Sequence, residues 1–72
     1  MNNIGENIRK HRLRLDYSQA YVAEELGISQ NAYSKIEANQ TKSFTIERLE
    51  QLAALLETSV VGFIGYYAYY FY

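Results

Sequence analysis

Gln30, Asn31, Ser34 and Lys35 fall on a single stripe if residues 30–37 form a helix, and they are the side chains best equipped for recognition chemistry. A glutamine or asparagine amide holds a donor and an acceptor side by side, which pairs bidentately with an adenine edge. A lysine ammonium favours guanine or a phosphate. Other chemistries lack their parts. The chain has no cysteine, and His11 is its sole histidine, which rules out a disulfide framework and a His/Cys zinc site. No glycine-rich phosphate loop occurs, and His11 has no carboxylate–serine setting. A binding protein without metal or cofactor is expected, with His11 a surface residue.

The elements that must hold this stripe are legible from periodicity and capping. Asn3 can cap a first helix, with Glu6 three residues on reaching back, and Ile4, Ile8 and Leu15 make its apolar face. Ser18 caps a second helix, Gln19 to Leu26, which buries Val22, Ala23 and Leu26. Gly27 ends it, because glycine takes the left-handed conformation that a helix C-terminus favours. Ser29 caps the third helix only two residues later, and Tyr33 and Ile36 form its buried face. A polar loop, ANQTKSF from Ala38 to Phe44, leads to a fourth helix from about Thr45 to Glu57. There Ile46, Leu49, Leu52, Ala53 and Leu56 recur at i, i+3, i+4 spacing. A short last helix follows Ser59, and residues 66–72 form an aromatic tail. Two short helices joined at a glycine, the second with an exposed polar stripe, are what a helix-turn-helix requires. The expected fold is all-α, a bundle of about five helices, with residues 1–65 as the domain.

Seventy-two residues allow one small core, which commonly needs support from a partner subunit. The net charge of −1 opposes nucleic-acid binding in sum, but Arg9, Lys10, Arg12 and Arg14 crowd the first helix while Glu47, Glu50 and Glu57 lie far along the chain. The N-terminal stretch MNNIGENIRKHR is polar, unlike a signal peptide. The uncharged stretch from Thr58 to Tyr72 is too short for a membrane span. A soluble cytoplasmic protein is expected.

Gln19, Ala23, Gly27, Tyr33 and Ile36 occupy the hallmark positions of the phage lambda repressor and Cro (XRE) family of helix-turn-helix proteins, which this chain resembles. IGENIRKHR resembles that family's first helix and SQAYVAEELGISQNAYSKIE its core motif, the likeness running over roughly residues 4 to 65. The resemblance implies that Gln30, Asn31, Ser34 and Lys35 read bases. It also implies that Gln19, Ser29, Asn39 and Lys42 meet the DNA backbone, and that Arg12 and Glu37 form a structural ion pair between the first and third helices. Asp16 and Asn39 stand where relatives often carry glycine; both residue types tolerate left-handed geometry.

Val60, Ile64, Tyr67 and Phe71 recur at helix-seam spacing with Phe63 alongside, more apolar surface than a monomer of this size can bury. These five are expected to form a dimer interface, the tail either joining that contact or extending the last helix. The function expected is a transcriptional regulator, repressor or controller, that reads a palindromic operator in double-stranded DNA as a homodimer. The alternative is a module of the same fold, such as an antitoxin, that binds a protein partner through its apolar C-terminal end.

Overall fold

A computed structural model describes residues 4–41 and 44–64. It contains α1 (Ile4–Arg14), α2 (Gln19–Leu26), α3 (Gln30–Glu37), α4 (Ile46–Leu55) and α5 (Val60–Ile64), with no strand among the described residues. Helix α3 packs on α1 and α2, while α5 closes the bundle against α1 and α4.

Local chemistry starts and stops these helices. Ser18, Ser29 and Thr45 have extended backbones, and each side-chain oxygen accepts the N–H three residues on, at 3.0 Å from Tyr21, Ala32 and Arg48. One of the orphan donors of each first turn is thereby satisfied. At the other end four helices stop the same way, on one residue of positive φ: Asp16 (61°), Gly27 (74°), Asn39 (60°) and Glu57 (58°). In each case the next N–H reaches back to a carbonyl five residues earlier: Tyr17 to Arg12, Ile28 to Ala23, Gln40 to Lys35 and Thr58 to Ala53. This is the Schellman closure, which favours glycine. Asp16 and Asn39 do take the left-handed conformation expected of glycine substitutes. Glu57 takes it with no such sequence signal, so Glu57→Gly is expected to raise stability by about 1 kcal/mol. A higher midpoint in thermal unfolding, not reproduced by Glu57→Ala, is the check.

The core draws on every helix: Ile8, Val22, Ala23, Tyr33, Ile36, Leu52, Ala53, Leu56 and Phe63 are buried. Burial differs from the periodic pattern at several points. Ile46, expected on the buried face of α4, is 67% exposed because it sits in the helix's first turn, beyond the reach of the other helices. Leu26 is only partly covered, and Tyr21 is exposed while its ring rests on Tyr17 at 4.7 Å. His11, expected at the surface, is half-buried with its ring edge-on to Phe63 at 5.7 Å.

Phe63 is 0% exposed, so its place in the expected dimer interface is corrected: its side chain is already spent on the protomer's own core. Val60 is half-buried against that core. The Ile64 side chain, Tyr67, Phe71 and the rest of the tail lie outside the described residues, as does Asn3. Among the described residues no helix is long and apolar enough to cross a membrane.

Candidate nucleic-acid interface

The two faces of α3 differ sharply. Tyr33, Ile36 and Glu37 are buried, whereas Gln30, Asn31 and Lys35 are exposed. Tyr33 and Ile36 thus pin the helix to the core and leave the amides and the ammonium on its outer side. Val22 and Ala23 are buried on the α2 side, and a small residue at 23 lets α3 pack closely. Ser34 is half-buried and its hydroxyl donates to the Asn31 carbonyl at 2.9 Å. Its proton is therefore used locally, which leaves Ser34 as an acceptor toward any ligand. Ser29 is exposed but its oxygen caps α3.

Behind this face lies a charged cluster centred on one carboxylate. Arg12 of α1 donates to Glu37 of α3 through Nε, at 2.6 Å to Oε2, and through Nη2, at 3.1 Å to Oε1. The Arg12 and Glu37 side chains are 8% and 4% exposed. The Tyr33 hydroxyl also donates to Oε2, and Gln19 Nε2 donates to Oε1 at 2.9 Å. The remaining Arg12 nitrogen, Nη1, donates to the Tyr17 carbonyl at 2.7 Å. Burial alone would raise the Glu37 pKa, but the donors from Arg12, Tyr33 and Gln19 outweigh it and hold that carboxyl below its ordinary range. The bond to Glu37 raises Arg12 further, and burial followed by the bond to Glu37 pushes the Tyr33 phenol up. The cluster ties α1 and α2 to the end of α3.

The basic helix α1 is divided in its use. Arg12 is neutralised inside, and Arg14 donates to the Leu56 carbonyl at the end of α4 at 3.3 Å. Arg9 and Lys10 remain exposed. Arg48 likewise donates to the Leu26 carbonyl at the end of α2, at 3.2 Å.

Two expected backbone contacts prove to have structural partners of their own. Gln19 joins the buried cluster, as above. Asn39 uses Oδ1 to accept the Gly5 N–H at 2.9 Å, so the loop after α3 caps the start of α1. Its Nδ2 donors are not consumed by that bond. Lys42 lies outside the described residues. Gly5 itself carries no sequence signal for this contact. A Cβ there would stand 2.5 Å from the Ile36 carbonyl oxygen and 2.6 Å from that of Glu37, so only glycine lets α1 approach α3. The bond from Asn7 Nδ2 to the Phe63 carbonyl, at 2.9 Å, equally escapes a reading by periodicity.

Comparison with known proteins follows the same outline. The helix-turn-helix family model matches residues 8–63. The HTH-type transcriptional regulator SinR of Bacillus subtilis (strain 168) is 35% identical over 57 residues, which are 79% of this chain and 51% of SinR. The chain therefore spans about half the length of the curated relative it matches. The crystal structure of SinR, master regulator for biofilm formation, in complex with DNA aligns with a TM-score of 0.77 at 32% identity, covering 86% of this chain and 98% of that one. The SinR–SinI complex aligns with a TM-score of 0.78 at 30% identity, covering 93% of this chain and 65% of that one.

Proposed function

Since the chain belongs to the helix-turn-helix family of the lambda repressor and Cro type, we propose that it is a transcriptional regulator that reads a palindromic operator in double-stranded DNA as a homodimer. The observation that carries this reading is the outer face of α3, where Gln30, Asn31 and Lys35 stand exposed on a helix whose opposite side is locked in the core. Such a helix enters the major groove with its first turns against base edges. Gln30 and Asn31 suit adenine, Lys35 guanine or a phosphate, and Ser34 an incoming donor. Gln19, Ser29, Asn39 and Lys42 serve the backbone, which sets register without reading sequence. SinR, solved in complex with DNA, supports the assignment. The protein works as a binding protein in the cytoplasm, without a catalytic step or cofactor.

Dimerisation through Val60, Ile64, Tyr67 and Phe71, with Phe63 now left to the core, would set two α3 helices roughly 34–36 Å apart, one turn of DNA. Selection of bound duplexes from a random pool tests the whole reading, and a palindromic enriched site is the expected result. On that site Gln30→Ala is expected to weaken binding by about 5- to 150-fold, with non-specific binding unchanged. Equal loss on all sequences would remove Gln30 from the readers.

A second reading has one observation behind it: SinR also aligns in a complex with the protein SinI. A partner protein held by the apolar C-terminal end of this chain is that alternative. Salt separates the two, because a DNA binder loses affinity steeply as salt rises.

A further inference from the structure

Gln19 opens α2, yet its side chain turns inward, with Nε2 2.9 Å from Glu37 Oε1. The ionised carboxylate only accepts, so the amide nitrogen must be the atom that faces it. Among the described residues Gln19 is the one side chain of α2 that reaches this cluster, where α1 contributes Arg12 and α3 contributes Tyr33 and Glu37 itself. One carboxylate thus holds three helices. The α2 end of that link is the turn expected to meet the DNA backbone, and the α3 end belongs to the helix expected to read bases.

We propose that Gln19 is a positioning residue which, through its hydrogen bond to Glu37, holds the first turn of α2 in fixed register with α3. The backbone seat and the reading stripe then meet DNA as one rigid unit, and sequence preference depends on a side chain that touches no base. The bond joins residues 18 apart in sequence, across the turn at Gly27 that the two helices pivot about. Helix packing fixes how closely α2 and α3 lie; the Gln19 bond adds a directional constraint at the end farthest from that turn. This inference rests on the DNA-reading function proposed above.

Gln19→Met keeps length and bulk but removes the donor. Two measurements on the full chain decide the role. In the free protein, the Glu37 side-chain carbon followed by NMR through an acid titration is expected to show a higher midpoint in the variant, because a donor to the charged form is gone. In binding, affinity for the selected operator is expected to fall roughly 2- to 30-fold. Affinity for a random duplex is expected to fall less, by the share that the Gln19 amide itself gives to the backbone, so the ratio of operator to random affinity drops. Gln19→Lys, which keeps a donor of similar reach and adds a charge, is expected to return the Glu37 midpoint to the wild-type value or below it. An unchanged midpoint in Gln19→Met overturns the proposal, and so does equal weakening on both duplexes, the mark of a plain phosphate contact. A wild-type chain with no preferred sequence overturns the DNA-reading function itself, and this is seen before any variant is made.

Discussion

Glu37→Leu is expected to destabilise the domain by about 3–5 kcal/mol, enough to leave a protein of this size largely unfolded at physiological temperature. The substitution strands the Arg12 guanidinium, 8% exposed, and removes the acceptor used by Tyr33 and Gln19. The loss belongs to the broken pair, not to the absence of charge. Arg12→Met combined with Glu37→Leu is therefore expected to recover part of the stability, since apolar side chains replace a buried ion pair at little net cost, while the Tyr33 hydroxyl, the Gln19 amide and the Tyr17 carbonyl still lack their partners. Urea unfolding of the two single variants and the double variant measures this coupling, and simple additivity would contradict it.

The same carboxylate sets an acid limb. Its folded pKa lies below the ordinary value of 4.5, so the unfolded chain takes up the proton first as pH falls. The stabilisation is complete above the unfolded value and is lost as pH drops through it toward the folded value. Wild-type stability is expected to decline below about pH 4.5 more steeply than that of Glu37→Gln, which cannot titrate there. Parallel acid limbs in the two proteins would count against the assignment.

Gly5→Ala is expected to cost roughly 3 kcal/mol, the second large effect. The added carbon would meet two backbone carbonyl oxygens of α3, at 2.5 and 2.6 Å, and Asn39 Oδ1 at 2.9 Å. Backbone atoms cannot swing aside, so α1 must withdraw and the Gly5–Asn39 hydrogen bond lengthens. Gly62→Ala makes the comparison: its nearest obstacle, at 2.5 Å, is the rotatable Thr58 hydroxyl, and its cost is expected to be small. Gly27→Ala meets nothing within 4 Å and loses only the left-handed preference at φ 74°, about 1 kcal/mol. Thermal unfolding of the three variants should rank Gly5 as the most sensitive. A Gly5→Ala midpoint equal to that of Gly62→Ala would show that α1 has room to move.

Much of this architecture is written locally. Ser18, Gly27 and Ser29 delimit α2 and α3 through caps and closures that involve residues three to five apart. The exposed stripe of Gln30, Asn31 and Lys35 follows from helical period once Tyr33 and Ile36 are turned inward. Arg12 and Glu37 were identified through family resemblance, since nothing local couples residues 25 apart.

What escaped is non-local in each case. Ile46 fits the apolar period of α4, but period says which face a residue lies on and not whether another helix covers that turn. Phe63 looks like surplus apolar surface beside the tail until α5 folds against α1 and consumes it. Gly5 and Asn39, 34 residues apart, meet only because α1 and the end of α3 come together. The exposed polar stripe on α3 was thus determined by the sequence itself, because periodicity and capping act within one turn of chain. Its aim was decided by the tertiary structure, because the Glu37 carboxylate takes its donors from α1, α2 and α3 only after those helices have packed.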